Sequence, residues 1–147
     1  MAIPAPEPGL VVRYGFVWGR EADAGRDSAS KSRPCAIVVA TSMHEDQLVV
    51  TVCPITHRPP ENDVGALVLP LAVKKRLGLD NEQSWIITHE LNAFVWPGVD
   101  LEAIPDPRSA SRSFAYGLLP ERLYLQIRDQ VIAHQRAGRL RVVKRTE

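Results

Sequence analysis

Two apolar runs separated by a short polar segment constrain the fold of this chain more than any other feature. Residues 32–40 (SRPCAIVVA) and 49–57 (VVTVCPITH) have the length and the β-branched content that are typical of strands. Between them, residues 42–46 (SMHED) form a polar segment suited to a turn. The pattern therefore predicts an antiparallel hairpin centred near His44.

The hairpin makes a definite prediction about which residues face each other. Centred near His44, it pairs residues whose numbers sum to about 88, so that Cys35 lies opposite Cys53. Pro34 and Pro54 are expected to mark the end of the ladder, because proline has no N–H to donate to it.

Arg33 and Thr56 then lie next to each other, just beyond the paired region of the hairpin. A guanidinium and a hydroxyl at one rim of a sheet are both hydrogen-bond donors, and the guanidinium is charged at any working pH. The sequence therefore predicts an anion-binding corner formed by Arg33 and Thr56.

Length and composition predict one globular domain. The chain has 147 residues, is 45% hydrophobic and 24% charged, and carries a formal net charge of +1. We expect a core at residues 8–135, an extended proline-rich arm at 1–8 and a basic tail at 136–147. The tail is either a basic surface or a solvated cluster that follows a helix; its cations are Arg136, Arg139, Arg141, Lys144 and Arg145.

Several classes of protein are disfavoured. No apolar run approaches the ~20 residues that span a bilayer, and the first residues lack the pattern of a secretion signal, so we expect a cytoplasmic protein with no membrane partner. Cys35 and Cys53 are predicted to be buried, reduced side chains. The four histidines lack ligand spacing and no phosphate-binding glycine loop is present, so no metal and no cofactor is predicted.

The remaining periodicities favour a mainly β, α+β fold. Strands are predicted at residues 10–18, 66–69, 84–95 (as one bent strand), 114–119 and 139–144, with no regular structure at 19–32. Residues 70–79 suit a short helix that begins after a proline and ends near Gly78. A longer helix is predicted to follow Pro120, with Leu123, Ile127 and Val131 on its buried face, and to end at Gly138.

Taken in order, these segments resemble the PemK/MazF family of toxin–antitoxin ribonucleases. The resemblance covers roughly residues 8–135 and rests on the order and spacing of short strings. They are a polar loop that ends in Arg33-Pro34, the strand that follows it, Pro54-Ile55-Thr56, Ser84-Trp85-Ile86-Ile87, and Leu119-Pro120-Glu121 at a helix start.

The resemblance implies a small antiparallel SH3-like β-barrel with a packed C-terminal helix. It also implies a homodimeric, growth-inhibiting toxin that is held in check by a cognate antitoxin protein. The implied activity is that of a metal-independent endoribonuclease: it cleaves single-stranded RNA by attack of the ribose 2′-OH and leaves a 2′,3′-cyclic phosphate and a 5′-hydroxyl. Arg33 and Thr56 match the family's arginine and threonine, and both would stabilise charge that develops on the phosphate.

The chain departs from the family on the strand near residues 86–90, where some relatives carry an acidic residue or an arginine and acid pair. Here His89 is predicted to take that position and to act as general base, since histidine titrates near neutral pH. A structural histidine bonded to backbone is the alternative. His57, Lys31 and Glu90 are candidate substrate-binding residues, and His57 is a second candidate base.

Two other functions stay open at this point. One is a non-catalytic or gyrase-inhibiting binding module on the same fold, which the missing acid and the long loop at 19–32 favour. The other is an interaction protein with no activity of its own.

Overall fold

The computed structural model describes residues 3–26, 29, 31–42, 47–61, 65–105 and 113–145. The predicted turn around His44, and parts of the loops at 57–63 and 96–113, lie outside these residues. Within the described part, nine strands and three helices follow one another as β1 Leu10–Tyr14, α1 Gly19–Asp23, β2 Arg33–Ser42, β3 Leu48–Thr56, β4 Ala66–Leu69, α2 Leu71–Leu77, β5 Ser84–Ile87, β6 Glu90–Val95, β7 Leu101–Glu102, β8 Ala115–Leu118, α3 Glu121–Arg136 and β9 Arg141–Lys144.

The strands form one highly connected sheet. Its main order is β4-β5-β3-β2-β1-β7, while β8 also pairs with β1, and β6 pairs with both β3 and β9. The described pairs are antiparallel except β6–β9, which is parallel. The mainly antiparallel, α+β class predicted from the sequence is confirmed.

The predicted hairpin is formed by β2 and β3, but its register is wrong by one to two residues. Near the turn the numbers of the paired residues sum to 90, as for Thr41 and Val49. Beyond an irregularity near Val38 they sum to 89. Cys35 therefore lies opposite Pro54, not Cys53. The ladder does end at the prolines, as predicted: Pro54 is in its last pair, Cys35–Pro54, and Pro34 lies beyond it, opposite Arg13 of β1.

The shifted register puts the two cysteines on opposite faces of the sheet. Cys53 belongs to the apolar cluster that the helices cover, and Cys35 belongs to the cluster on the other face, around Tyr14 and Phe94. Both thiols are free and buried, as predicted, and burial raises the pKa of Cys53 to about 12. Thiols of this kind are packing residues, because the reactive thiolate is suppressed.

Two of the helices form where the sequence predicts them. Pro70 and Pro120 precede α2 and α3, and Gly78 ends α2 in the left-handed conformation at φ 74°. On α3, the side chains of Leu123, Ile127 and Val131 pack into the core. This confirms the apolar stripe read from the sequence.

The third helix was not predicted. Residues 19–32 were expected to lack regular structure, but α1 forms at Gly19–Asp23. Its first turn is stabilised by a residue of β6, because the Glu90 carboxylate accepts a hydrogen bond from the Gly19 N–H at 2.7 Å. None of the described helices is long and apolar enough to cross a membrane.

Candidate functional site

A single large cleft gathers every residue proposed from the sequence for the site. Its volume is about 1040 Å³, which is at the upper limit of the range typical of small-molecule sites, roughly 300–1,000 Å³. Its lining includes Lys31, Arg33, Thr56, His57, His89 and Glu90. These residues come from three separate segments of the chain, so only the fold brings them together.

Arg33 opens β2 and is the most unusual cation of the cleft. It pairs with Tyr14 of β1 through the backbone, while its guanidinium lies 5.2 Å from the centre of the Trp18 ring. Its Nε is buried and has no hydrogen-bond partner among the described residues. A buried, unsatisfied donor of a charged group is costly unless another group completes it.

The surroundings of Arg33 favour an anion as the group that completes its hydrogen bonding. The guanidinium of Arg20 lies 5.6 Å from the centre of the same Trp18 ring, so one indole holds two cations. Burial lowers the pKa of Arg33 from its usual value; the charge of Arg20 acts in the same direction and that of Glu21 opposes it. Two like charges held close together are an arrangement that a phosphate stabilises.

Thr56 ends β3 and is buried, with 8% of its surface exposed. Its hydroxyl oxygen accepts a hydrogen bond from the Arg58 N–H at 3.1 Å, so Thr56 shapes the loop that follows the strand. That contact uses an acceptor lone pair of the hydroxyl and leaves its own O–H as a donor. Thr56 and Arg33 both lie beyond Cys35–Pro54, the last pair of the β2–β3 ladder, as predicted.

His89 lies in the bend between β5 and β6 instead of within a strand. Its Nδ1 is 3.5 Å from the Gly65 carbonyl oxygen, at the outer limit of a hydrogen bond, and its ring meets the His134 ring edge to face at 5.9 Å. An Nδ1–H tautomer would leave the other ring nitrogen as an acceptor. The position is compatible with a general base.

Lys31 and Glu90 differ in how free they are to bind a substrate. Lys31 is an exposed cation at the cleft. Glu90 also lines the cleft, but its carboxylate is occupied by the N–H of Gly19. Its evident contribution is to hold the start of α1, and with it Arg20, against the sheet.

His57 is held by a group that the sequence did not single out. Its Nε2 lies 2.7 Å from Asp80 Oδ2, and the other Asp80 oxygen accepts hydrogen bonds from Lys74 Nζ at 2.5 Å and from the Glu82 N–H at 3.0 Å. Partial burial opposes ionisation of Asp80. The bonds from Lys74 and Glu82 and the charge of His57 nevertheless hold the pKa of its carboxyl below the usual value.

Lys74 is itself enclosed, with 2% of its side chain exposed, and it also donates to Ser84 Oγ and to the Glu82 carbonyl oxygen. A buried ammonium needs such partners to remain charged. The chain from Lys74 through Asp80 to His57 therefore fixes the position of an otherwise exposed imidazole.

Positive charge predominates in the cleft. The lining includes six cations, Arg13, Arg20, Lys31, Arg33, Arg58 and Lys74, and four acids, Glu21, Glu61, Asp80 and Glu90. Three of the acids are engaged within the protein, Glu21 with Arg26, Asp80 with Lys74 and Glu90 with Gly19. The cleft therefore suits a polyanion.

One group in the described part of the chain has ligand atoms close enough to hold a metal ion. His57, Asp80 and Glu82 each offer one such atom, all within 4.8 Å of one another. All three residues are exposed, and both oxygens of Asp80 already face hydrogen-bond donors. Imidazole and carboxylate would suit zinc.

Three of the five cations in the basic tail are engaged within the protein. Arg139 donates to His134, Arg141 pairs with Asp23 of α1, and Arg145 is buried against Asp100.

Among the aromatic residues of the first strand region, Tyr14 and Phe16 are core residues, and Trp18 is the one that reaches the cleft.

Asp80, Lys74 and Arg20 are the functional candidates that the sequence did not reveal. None of the three is marked by a distinguishing spacing, and each gains its importance from a contact that forms only in the folded chain. The chain matches no family model, no curated protein and no solved structure in three comparisons, so the PemK/MazF resemblance stays a prediction.

Proposed function

We propose that the protein is an endoribonuclease toxin of the PemK/MazF type, with the SH3-like barrel that this family has. It would cleave single-stranded RNA without a metal ion, by attack of a ribose 2′-OH on the adjacent phosphate. The products would be a 2′,3′-cyclic phosphate and a 5′-hydroxyl.

The observation that carries this proposal is a cation-rich cleft that contains Arg33, Thr56 and His89, with no partner for the Arg33 Nε among the described residues. A phosphodiester would complete the guanidinium with its non-bridging oxygens, which accept planar, bidentate hydrogen bonds. Charge on those oxygens grows in the transition state, so the interaction strengthens as the reaction proceeds.

The other groups have complementary roles. The Thr56 O–H would donate to the same phosphate, and His89 would accept the 2′-OH proton. Lys31 would contact a neighbouring phosphate, and the volume of the cleft leaves room for more than one nucleotide. We further propose that a cognate antitoxin covers this cleft and that the toxin is a cytoplasmic homodimer.

The test is incubation of purified protein with single-stranded RNA in EDTA, followed by mapping of both cut ends. Wild-type protein is expected to yield cyclic phosphate and 5′-hydroxyl ends. Arg33→Ala should reduce the rate about 100- to 1,000-fold, since it removes a donor to the developing charge. Arg33→Lys should restore little, because an ammonium cannot bind two oxygens in one plane.

Arg122→Ala is the matched control, because Arg122 is an exposed arginine on α3 outside the cleft lining. It should cleave at the wild-type rate. Wild-type protein that leaves RNA intact, or Arg33→Ala that cuts normally, would contradict the proposal. Growth arrest with intact RNA and trapped gyrase–DNA complexes would select the binding-module alternative instead.

A further inference from the structure

Resting on that proposed function, the geometry points to a second proton-transfer residue: His57, oriented by Asp80, acts as the general acid that protonates the 5′-oxygen leaving group. His89 would then be the base, and the cleft would be a two-histidine site. The proposal begins from the 2.7 Å contact between His57 Nε2 and Asp80 Oδ2.

The first step is that Asp80 determines which nitrogen of His57 is available. An ionised carboxylate accepts from Nε2–H, so Nε2 is used within the protein and Nδ1 is left for the substrate. Glu82 does not compete for it, since its Oε2 is 3.9 Å from Nδ1, beyond hydrogen-bond distance. In the protonated ring, Nδ1 carries the transferable proton.

The second step is that Asp80 is itself fixed. Lys74, with its side chain almost fully buried, and the Glu82 N–H both bind Asp80 Oδ1. An exposed His–Asp pair contributes little to stability, so such a pair alone does not explain why a buried lysine holds Asp80. Orientation of an imidazole at a reactive site does require such support.

The third step is the placement of the two histidines relative to β5. Thr56 is paired with Trp85 near the start of β5, so His57 emerges beside that end, and His89 follows the other end. Residues 84–88, which separate these two ends, span at most about 17 Å of extended chain. Both rings line the cleft that contains Arg33, and the proposal requires them to lie on either side of the phosphate that Arg33 binds.

The reaction balances without a co-reactant. The bond between the 2′-oxygen and phosphorus forms while His89 takes the 2′-OH proton. The bond between phosphorus and the 5′-oxygen breaks while Nδ1 of protonated His57 gives its proton to that oxygen. Exchange with water then returns both imidazoles to their starting forms. A positioned proton donor of this kind contributes about 100- to 10,000-fold in rate.

The test uses two RNA substrates that differ in one atom. In the second, sulfur replaces the 5′-bridging oxygen at the cleaved position. A thiolate leaves without protonation, because the pKa of a thiol is about 8.5 and that of an alcohol is much higher. His57→Ala and His57→Gln should lose about 100- to 10,000-fold on ordinary RNA and less than about tenfold on the sulfur substrate. His89→Ala should lose activity on both.

Asp80→Asn, a positioning variant, should show a smaller loss on ordinary RNA that the sulfur substrate also restores. Asp129→Asn is the matched control, the same change at an exposed acid of α3 outside the cleft lining, and it should stay within about threefold of wild type. Melting temperatures of all variants identify any loss that is due to unfolding.

Equal losses by His57→Ala on the two substrates, or none on ordinary RNA, would overturn the proposal while leaving the ribonuclease function intact. Activity that disappears in EDTA and returns with a divalent cation would also overturn it, since His57, Asp80 and Glu82 would then be metal ligands. Wild-type protein that cuts neither substrate would remove the ribonuclease function, and this proposal with it.

Discussion

Gly65 is the residue whose size matters most for the position of His89. A Cβ added at Gly65 would lie 2.5 Å from His89 Nδ1 and 3.1 Å from His134 Nε2, and the backbone there has φ +91°. No side chain fits at 2.5 Å without movement of the imidazole. The absence of a side chain at this position therefore sets where the proposed base sits.

We expect Gly65→Ala to reduce both stability and RNA cleavage. Gly25→Ala is the matched control, because its φ is +85° but a Cβ there meets nothing within 4 Å. The control should lose only the cost of a left-handed alanine, about 1–2 kcal/mol. Gly65→Ala should lose more, and its cleavage rate should fall because His89 is displaced. Urea unfolding and cleavage assays measure the two effects; equal behaviour of the two variants would contradict this account.

Single residues also show why only part of the candidate site could be proposed from the sequence. Arg33 and Thr56 could be proposed because each lies at the end of a segment with a strong strand pattern. Asp80 was missed because no local pattern marks it; its importance comes from Lys74 and His57, six and 23 positions away in the chain.

At the scale of elements, α3 is joined to the β5–β6 bend by a directed chain of hydrogen bonds. Arg139 Nε donates to His134 Nδ1 at 2.8 Å, so His134 Nε2 donates to Thr88 Oγ1 at 3.0 Å, and Thr88 donates to Gln130 at 2.8 Å. This chain requires the neutral form of His134. Burial, together with the charges of Arg139 and His89, lowers the pKa of His134.

The sign of the resulting pH dependence follows from linkage. His134 binds a proton more readily in the unfolded chain, where its pKa is about 6.5, than in the folded protein. Its contribution to stability is therefore fully present above pH 6.5 and is lost as the pH falls towards the lowered folded value. Asp23 and Asp80 do not interfere, because their pKa values are lowered from 3.8.

We therefore expect the melting temperature of wild-type protein to fall between pH 7.5 and pH 5.5. His134→Gln, which cannot titrate, should show a smaller fall over the same interval, although it is less stable at pH 7.5. Thermal unfolding at several pH values measures the difference. Parallel curves for the two proteins would mean that His134 does not carry this dependence.

The elements also explain the error in register. The hydrophobic pattern of β2 and β3 specifies that the two strands pair, but an irregularity near Val38 and the geometry of the turn decide the offset. A slip of one residue moves a side chain to the other face of a sheet. It is for this reason that Cys35 and Cys53 lie in different apolar clusters.

At the scale of the whole molecule, Arg145 ties the end of the chain to its first strand region. With 3% of its side chain exposed, it forms an ion pair with Asp100 and donates to Tyr14 Oη, to the Gly15 carbonyl oxygen and to Asn92 Oδ1. This anchor follows β9, which pairs with β6. Residues 141–145 are therefore part of the fold.

We expect Arg145→Met to reduce the free energy of unfolding by about 3 kcal/mol, since it removes the ion-pair partner of Asp100 and the donor to the Gly15 carbonyl oxygen. Lys144→Met, at the neighbouring exposed position, should cost less than about 0.5 kcal/mol. Urea unfolding with an unchanged slope measures both. Equal stabilities of the Arg145→Met and Lys144→Met variants would show that the buried ion pair does not stabilise the fold.

The sequence by itself determined which segments become strands and helices and the main α+β class. Apolar periodicity and the placement of proline and glycine act over a few residues, so they can be read locally. The tertiary structure decided the strand register, the formation of α1 and the partners of Asp80, His134 and Arg145. These depend on hydrogen bonds and charges between segments far apart in the chain, whose energies exist only after the sheet has brought the segments together.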